Sequence, residues 1–153
     1  MSEEEAAIRV QEFADTNPDL NWILGRGWNQ VLWGNTDFPT VSSLDRLISD
    51  RPVWLTRIDG HAGWANSAAL QLAGIDQSTN DPVGGQIIRD EDGAPTGVLV
   101  DTAMNFVSSQ VPRPTLEDEK IALTAAMQAL AEYGLTSVHD AGVNSQTVRA
   151  YKE

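Results

Sequence analysis

Two prolines flanking a single arginine, in the run Val111-Pro112-Arg113-Pro114, constrain this chain more than any other feature. Proline lacks a backbone N–H and pushes the residue before it away from helix, so neither a helix nor a ladder strand runs through. Directly after comes the strongest helix signal in the sequence. Thr115 is the N-cap and Asp118 completes a capping box. Ile121, Ala122, Ala125, Ala129, Leu130 and Tyr133 line one face, and Gly134 is the stop. The chain therefore divides into residues 1–111 and residues 112–153. Its 153 residues are enough for a sizeable core.

The first region alternates short apolar runs with turn signals. Ser2 to about Asp15 reads as a helix, with Ser2 and Glu5 as a capping box, and Asn17-Pro18-Asp19 breaks it. Leu20 to Trp28 and Pro52 to Asp59 read as strands, with a loop over Asn35 to Thr40 and a short helix over Ser43 to Ile48. Asn66 to Gly74 is a helix, and Asp76 to Gly85 a polar loop. Gln86 to Arg89 and Gly97 to Val100 are strands joined through Asp92-Gly93, a hairpin signal. Asp101 to Val107 reads as helical. The expected fold class of this region is α+β: a partly rolled antiparallel sheet of about four strands with packed helices. In the second region, Leu135 to His139 reads as a strand and Asn144 to Tyr151 as a helix. With the helix after Thr115, that gives a helix–strand–helix piece of the kind found in a (β/α)₈ barrel.

Composition excludes several classes of function. Cysteine is absent, so there are no disulfides, thiolate nucleophiles or cysteine metal sites. The formal charge is −12, from 22 acids against 10 bases, and the only lysines are Lys120 and Lys152. Such a surface repels nucleic acid and anionic lipid. The charge serves either plain solubility or hydration in salt. No apolar run approaches a membrane span, and Met1-Ser2-Glu3-Glu4-Glu5 does not look like a signal peptide, so a cytoplasmic location is expected.

Candidate chemistry gathers at strand ends, where scaffolds present functional groups. Asp59, Gly60, His61 and Asn66 follow the apolar run Pro52-Val53-Trp54-Leu55. Asp59 and His61 form an acid/base pair or a ligand with its orienting partner on one reading. On the other, His61 is a strand-end residue held by the following turn. If the strand continues through them, residues two apart share a side and both face one pocket. His139-Asp140 ends the second region's strand; being adjacent, the two point to opposite faces and make no dyad by themselves. Asn66-Ser67 serves a ligand or simply caps a helix. Trp22, Trp28, Trp33, Trp54 and Trp64 form an aromatic wall or a core. Phosphate-loop, GxSxG, HExxH and HxH patterns are all missing. No residue qualifies as catalytic or as a metal ligand on this showing.

Several of these runs carry a family resemblance. Pro52 to Ala62, Asn66 to Leu70, Asp81 to Ile87, Arg89-Asp90, Asp92-Gly93, Pro95 to Leu99 and Gly134 to Ala141 resemble, in order, the YtcJ-like metal-dependent amidohydrolases, which include the N-substituted formamide deformylases. The resemblance implies a (β/α)₈ barrel whose metal, zinc or another divalent ion, activates water against amide-type, non-peptide carbon–nitrogen bonds. It implies that residues 1–111 correspond to the insertion between barrel strands one and two, and 112–153 to the helix–strand–helix segment at strand two. The family's HxH and later ligands have no counterpart in this sequence, so no cofactor is expected in this chain itself. Asp59, His61 and Asn66 would border the substrate in the parent enzyme. The expected partner is the remainder of the barrel, with a homodimer as a further possibility. The expected function is that of a portion of such a hydrolase, inactive alone; the alternative is a free-standing small-molecule binding or interaction module.

Overall fold

The computed structural model describes residues 2–34 and 36–153. Asn35, the first residue of the expected loop over 35–40, lies outside the described residues. The chain forms two compact units, dividing between Val111 and Pro112.

The first unit is built on one five-stranded sheet: β1 (Ile23–Trp28), β2 (Val53–Arg57), β3 (Ala62–Ala65), β4 (Gly85–Arg89) and β5 (Pro95–Asp101). Their order across the sheet is β1-β2-β3-β5-β4. β1 lies parallel to β2, and the remaining pairs are antiparallel. The expected all-antiparallel sheet of about four strands is corrected in two respects. Its first pair is parallel, and an unanticipated strand, β3, sits at its centre.

Alternation along the strands sends side chains to two apolar layers. Val53, Leu55, Trp64 and Val98 join Ala7, Ala14, Leu44 and Ile48 on one side, where helices α1 (Glu3–Thr16) and α2 (Val41–Asp45) pack. Trp54, Ala65, Ile87 and Leu99 join Ala69, Leu70 and Val107 on the other, where α3 (Ser67–Leu72) and α4 (Met104–Ser108) pack. Strands covered on both faces carry near-continuous apolar runs. All four residues of β3 are buried accordingly.

Two glycines shape this sheet. Ile23 and Trp28 are five positions apart, so strict alternation would send them to opposite faces, yet both are buried in the same layer. The register shift between Arg26 and Trp28 resolves this: Gly27, at φ 98°, forms a bulge that resets the phase. Gly63 leaves room for the Trp54 ring. A Cβ at Gly63 would sit 1.9 Å from Trp54 Cη2.

α1 begins as expected, with the Ser2 hydroxyl accepting from Glu5 N at 3.1 Å. Its last turn is held by Arg51, whose guanidinium donates to Ala14 O at 3.2 Å and Asn17 O at 3.0 Å. The β4–β5 hairpin closes at Asp92-Gly93, where Asp90 Oδ1 accepts from both Asp92 N and Ala94 N.

The second unit packs α5 (Leu116–Glu132) against α6 (Ser145–Lys152). The capping box of α5 is complete: Thr115 Oγ1 accepts from Asp118 N, and Asp118 Oδ2 accepts from Thr115 N at 2.8 Å. Lys120 Nζ donates to Glu153 Oε2 at 2.9 Å across the helix pair. Residues 135–139, expected as a strand, join no ladder in this unit. A strand needs a neighbouring strand to take its N–H and C=O groups, and among the described residues none lies beside this segment, whose Leu135 N donates instead to Leu130 O at 3.1 Å. α5 buries no residue in this chain. Leu123, Ala126, Met127, Leu130, Leu135 and Val138 line an open groove of about 390 Å³.

Candidate functional site

The polar cluster nearest the sequence's candidate residues lies where β2 ends, β3 begins and β5 ends. β2 and β3 form a hairpin with Thr56 opposite Gly63, and residues 58–61 make the connection. Gly60 N donates to Arg57 O at 2.9 Å and Gly60 adopts φ 78°, which closes the turn. β3 pairs onward with β5, Ala62 opposite Val100. That register brings Asp101 beside His61, and Asp101 N donates to His61 O at 3.0 Å.

Arg57 anchors the cluster. Its guanidinium carbon sits 6.0 Å from the Trp28 ring centroid and 5.8 Å from that of Phe38. Trp28, Trp33 and Trp64 form a trio with centroids about 6 Å apart. Trp28 Nε1 donates to Leu55 O at 2.7 Å, and Trp64 Nε1 to Thr40 O at 3.0 Å. Trp28 and Trp64 therefore belong to the core rather than to a ligand wall. From that base Arg57 grips Asp59 in a two-pronged pair, Nε to Oδ1 and Nη2 to Oδ2, both at 2.8 Å. Asp59 Oδ1 also accepts from His61 N at 3.1 Å. Arg57, then the backbone N–H of His61, hold the Asp59 carboxyl below its usual pKa.

His61 turns to a different acid. Its Nδ1 lies 2.7 Å from Asp101 Oδ1. The imidazole remains 70% exposed, and Asp101 48%. The Asp101 hydrogen bond and charge, with a smaller push from Asp59, hold the His61 pKa above its ordinary value. A strand continuing through Asp59 and His61 would put both on one side. Instead a turn intervenes, the period of two does not apply, and the side-chain partner of His61 is Asp101. In the sequence, Asp101 has only the end of the Gly97-Val98-Leu99-Val100 run to mark it, and its pattern there is that of a helix start.

Asn66 stands at the other end of β3, about 16 Å along the chain direction from His61 at 3.3 Å per strand residue. It is fully buried. Its Oδ1 accepts from Val53 N at 2.9 Å and Ala69 N at 3.0 Å, and its Nδ2 donates to Ile48 O and Arg51 O, both at 2.9 Å. Every polar atom of the side chain is engaged, so in this chain Asn66 pins the start of β2 and caps α3. Ser67 is likewise committed, to the Asp45 carboxylate. His139 is exposed in the second unit. Among the described residues no group of three or more His, Asp or Glu converges as a metal-binding set. The residues present do not fit a catalytic metal centre. No described helix is long and apolar enough to cross a membrane.

The first unit is thus a five-stranded mixed sheet with helices on both faces and an exposed His–Asp pair at a strand end. The amidohydrolase family model matches residues 1–153, and the chain belongs to that family. It is 45% identical over 122 residues to the putative amidohydrolase YtcJ of Bacillus subtilis, covering 80% of this chain and 23% of that protein. It is 41% identical over 133 residues to Protein LONG AFTER FAR-RED 3 of Arabidopsis thaliana, covering 87% of this chain and 23% of that protein. With the N-substituted formamide deformylase of Arthrobacter pascens it shares 34% identity over 139 residues, covering 88% and 26%. The crystal structure of an uncharacterized metal-dependent hydrolase from Pyrococcus horikoshii superposes with a TM-score of 0.63 at 25% identity, covering 99% of this chain and 28% of that one. The chain thus spans about a quarter of the length of the curated relatives it matches.

Proposed function

We propose that this chain is a portion of a metal-dependent amidohydrolase acting on amide-type, non-peptide carbon–nitrogen bonds, and that it supplies a substrate-bordering surface rather than the metal centre. Family membership across residues 1–153 supports the hydrolase assignment. The observation that carries the surface assignment is His61: exposed, seated on a carboxylate at 2.7 Å, and mounted at the end of the sheet. Beside it, Arg57 and Asp59 are fixed by two aromatic rings and each other. An exposed imidazole on so rigid a base can meet a ligand without reorganising the scaffold. Asn66, buried and saturated, is left out of that surface.

In this reading the catalytic metal is held by residues of the full-length enzyme other than those described here, and the chain alone is inactive. The open apolar groove of the second unit is covered by the remainder of the barrel, since a barrel helix normally packs on neighbouring strands and helices.

His61→Ala in a full-length enzyme carrying this segment tests the surface assignment. The expected result is a loss in kcat/KM with little change in Tm. A sharp fall in Tm with unchanged kcat/KM per folded molecule would make His61 a scaffold residue and refute the assignment.

A further inference from the structure

Asp101 combines two unusual features. It is the sole non-glycine with positive φ among the described residues, at 49°, and its carboxylate lies 2.7 Å from the His61 ring nitrogen. A left-handed backbone is uncommon for any residue with a Cβ, although aspartate and asparagine tolerate it best. Such outliers persist where the surroundings over-determine them, and they gather at functional sites. Here the conformation ends β5 abruptly. Asp101 N stays in the ladder, donating to His61 O, while the side chain lies back across the neighbouring strand to reach His61 Nδ1.

We infer that Asp101 is the positioning residue of His61: its carboxylate, aimed by a left-handed backbone, takes the proton on Nδ1 as a hydrogen bond and leaves Nε2 as the free nitrogen of an exposed ring. The inference rests on the proposal that His61 borders substrate, and deepens it by assigning the nitrogen and its chemistry. In the neutral ring Nε2 is an acceptor, suited to an N–H or O–H of a polar ligand. Once protonated it is a donor, suited to a carbonyl or carboxylate oxygen. An amide-type substrate offers both kinds of group. The charged groups facing the ring are Asp101 from the end of β5, Arg57 from the end of β2 and Asp59 from the β2–β3 connection. Arg57 is already bound to Asp59, so Asp101 dominates. The raised pKa of His61 agrees with this, having Asp101 as its largest cause.

The test is a pH titration of the His61 ring by nitrogen–proton correlation NMR. His139→Gln leaves a single histidine to observe. Two variants suit a left-handed backbone, Asp101→Asn and Asp101→Gly, so failure to fold is not the expected result for either. In the parent chain the neutral ring is expected to carry its proton on Nδ1. Asp101→Asn is expected to shift the His61 pKa downward while keeping much of that tautomer, since the amide oxygen still accepts. Asp101→Gly is expected to lose both. An unchanged His61 pKa and tautomer in folded Asp101→Gly would overturn the inference. The kinetic arm uses the full-length enzyme. Asp101→Gly is expected to move the limb of the kcat/KM pH profile set by His61 to lower pH, and His61→Ala to abolish it. If His61→Ala leaves kcat/KM unchanged, the substrate-bordering proposal fails, while the NMR result still decides the role of Asp101.

Discussion

Asn66 offers the sharpest test of how this fold is held together. Its amide orientation is unambiguous, because the two groups around Oδ1 are N–H donors and the two around Nδ2 are carbonyls. In Asn66→Ala, Val53 N and Ala69 N lose their acceptor in a site sealed from solvent, and the carbonyls of Ile48 and Arg51 lose a donor. An orphaned buried donor costs roughly 1–3 kcal/mol, and carbonyls with a second lone pair cost less. The Ala69 loss already includes the helix cap, itself worth about 1 kcal/mol, so the two are not added. The expected destabilisation is about 4 kcal/mol, from two orphaned donors at roughly 2 kcal/mol each. Against the 5–15 kcal/mol of an ordinary domain, about that much is a large share. Asn66→Asp sharpens the argument. One carboxylate oxygen can keep both N–H bonds, but the other then faces two carbonyls. The charge is unfavourable there, so the folded-state pKa is raised above the unfolded value. The penalty is therefore full well above that raised pKa and shrinks as pH falls through it. Urea unfolding followed by tryptophan fluorescence is the assay. All five tryptophans, from Trp22 to Trp64, lie in the first unit, so the signal reports that unit alone. A loss under about 1 kcal/mol for Asn66→Ala, well below the cost of even two weakly orphaned donors, would refute the account. It would reopen a substrate role for the residue.

Three further outcomes follow from the packing and the charges. Gly63→Ala forces a Cβ against the buried Trp54 ring, and is expected to cost about 3 kcal/mol as overpacking, read by the same urea titration; a neutral result would mean that Trp54 can swing aside. The raised pKa of His61 stabilises the fold fully below the unfolded value of about 6.5, and that contribution is lost as pH rises through the folded value. The lowered pKa of Asp59 works in the opposite sense: its contribution is present above the unfolded value and is lost as pH falls through the folded one. Urea midpoints from acid to mildly alkaline pH should therefore decline at both ends, and Asp101→Asn should flatten only the upper decline. Finally, Ile121 and Met127 are 62% and 52% exposed on α5, so the chain alone should bind an apolar dye or self-associate in light scattering. A clean monomer without dye binding would show that these side chains need no cover.

What could be read from the sequence, and what could not, divides along a physical line. Features decided within a few residues were legible. The α5 capping box is set by Thr115 and Asp118, three residues apart, and the β4–β5 hairpin by Asp92-Gly93. β3 escaped because Ala62-Gly63-Trp64-Ala65 is buried on both faces and shows no alternation of apolar and polar residues. Asp59-Gly60 is the same kind of turn signal as Asp92-Gly93 and marks the β2–β3 hairpin in the sequence. The parallel β1–β2 pair depends on a crossover from Trp28 to Val53 whose course no local pattern dictates. Residues 135–139 have strand-like composition, but composition supplies no neighbour to bond with.

The same line runs through the candidate site. His61 was visible because a histidine at the end of an apolar run is a local pattern. Asp101 was not, because it lies 40 residues away and meets His61 only through the Ala62–Val100 register. That register is in turn fixed by which residues β3 and β5 bury. Trp64 and Val98 must enter one layer, and Ala65 and Leu99 the other. A slip of one residue would send each set into the other's layer and would also separate Asp101 from His61. The burial of Trp64 and the pairing of His61 are thus two consequences of one constraint. A change that loosens the core at Trp64 should therefore disturb the imidazole at the sheet's end before any residue of the cluster is touched.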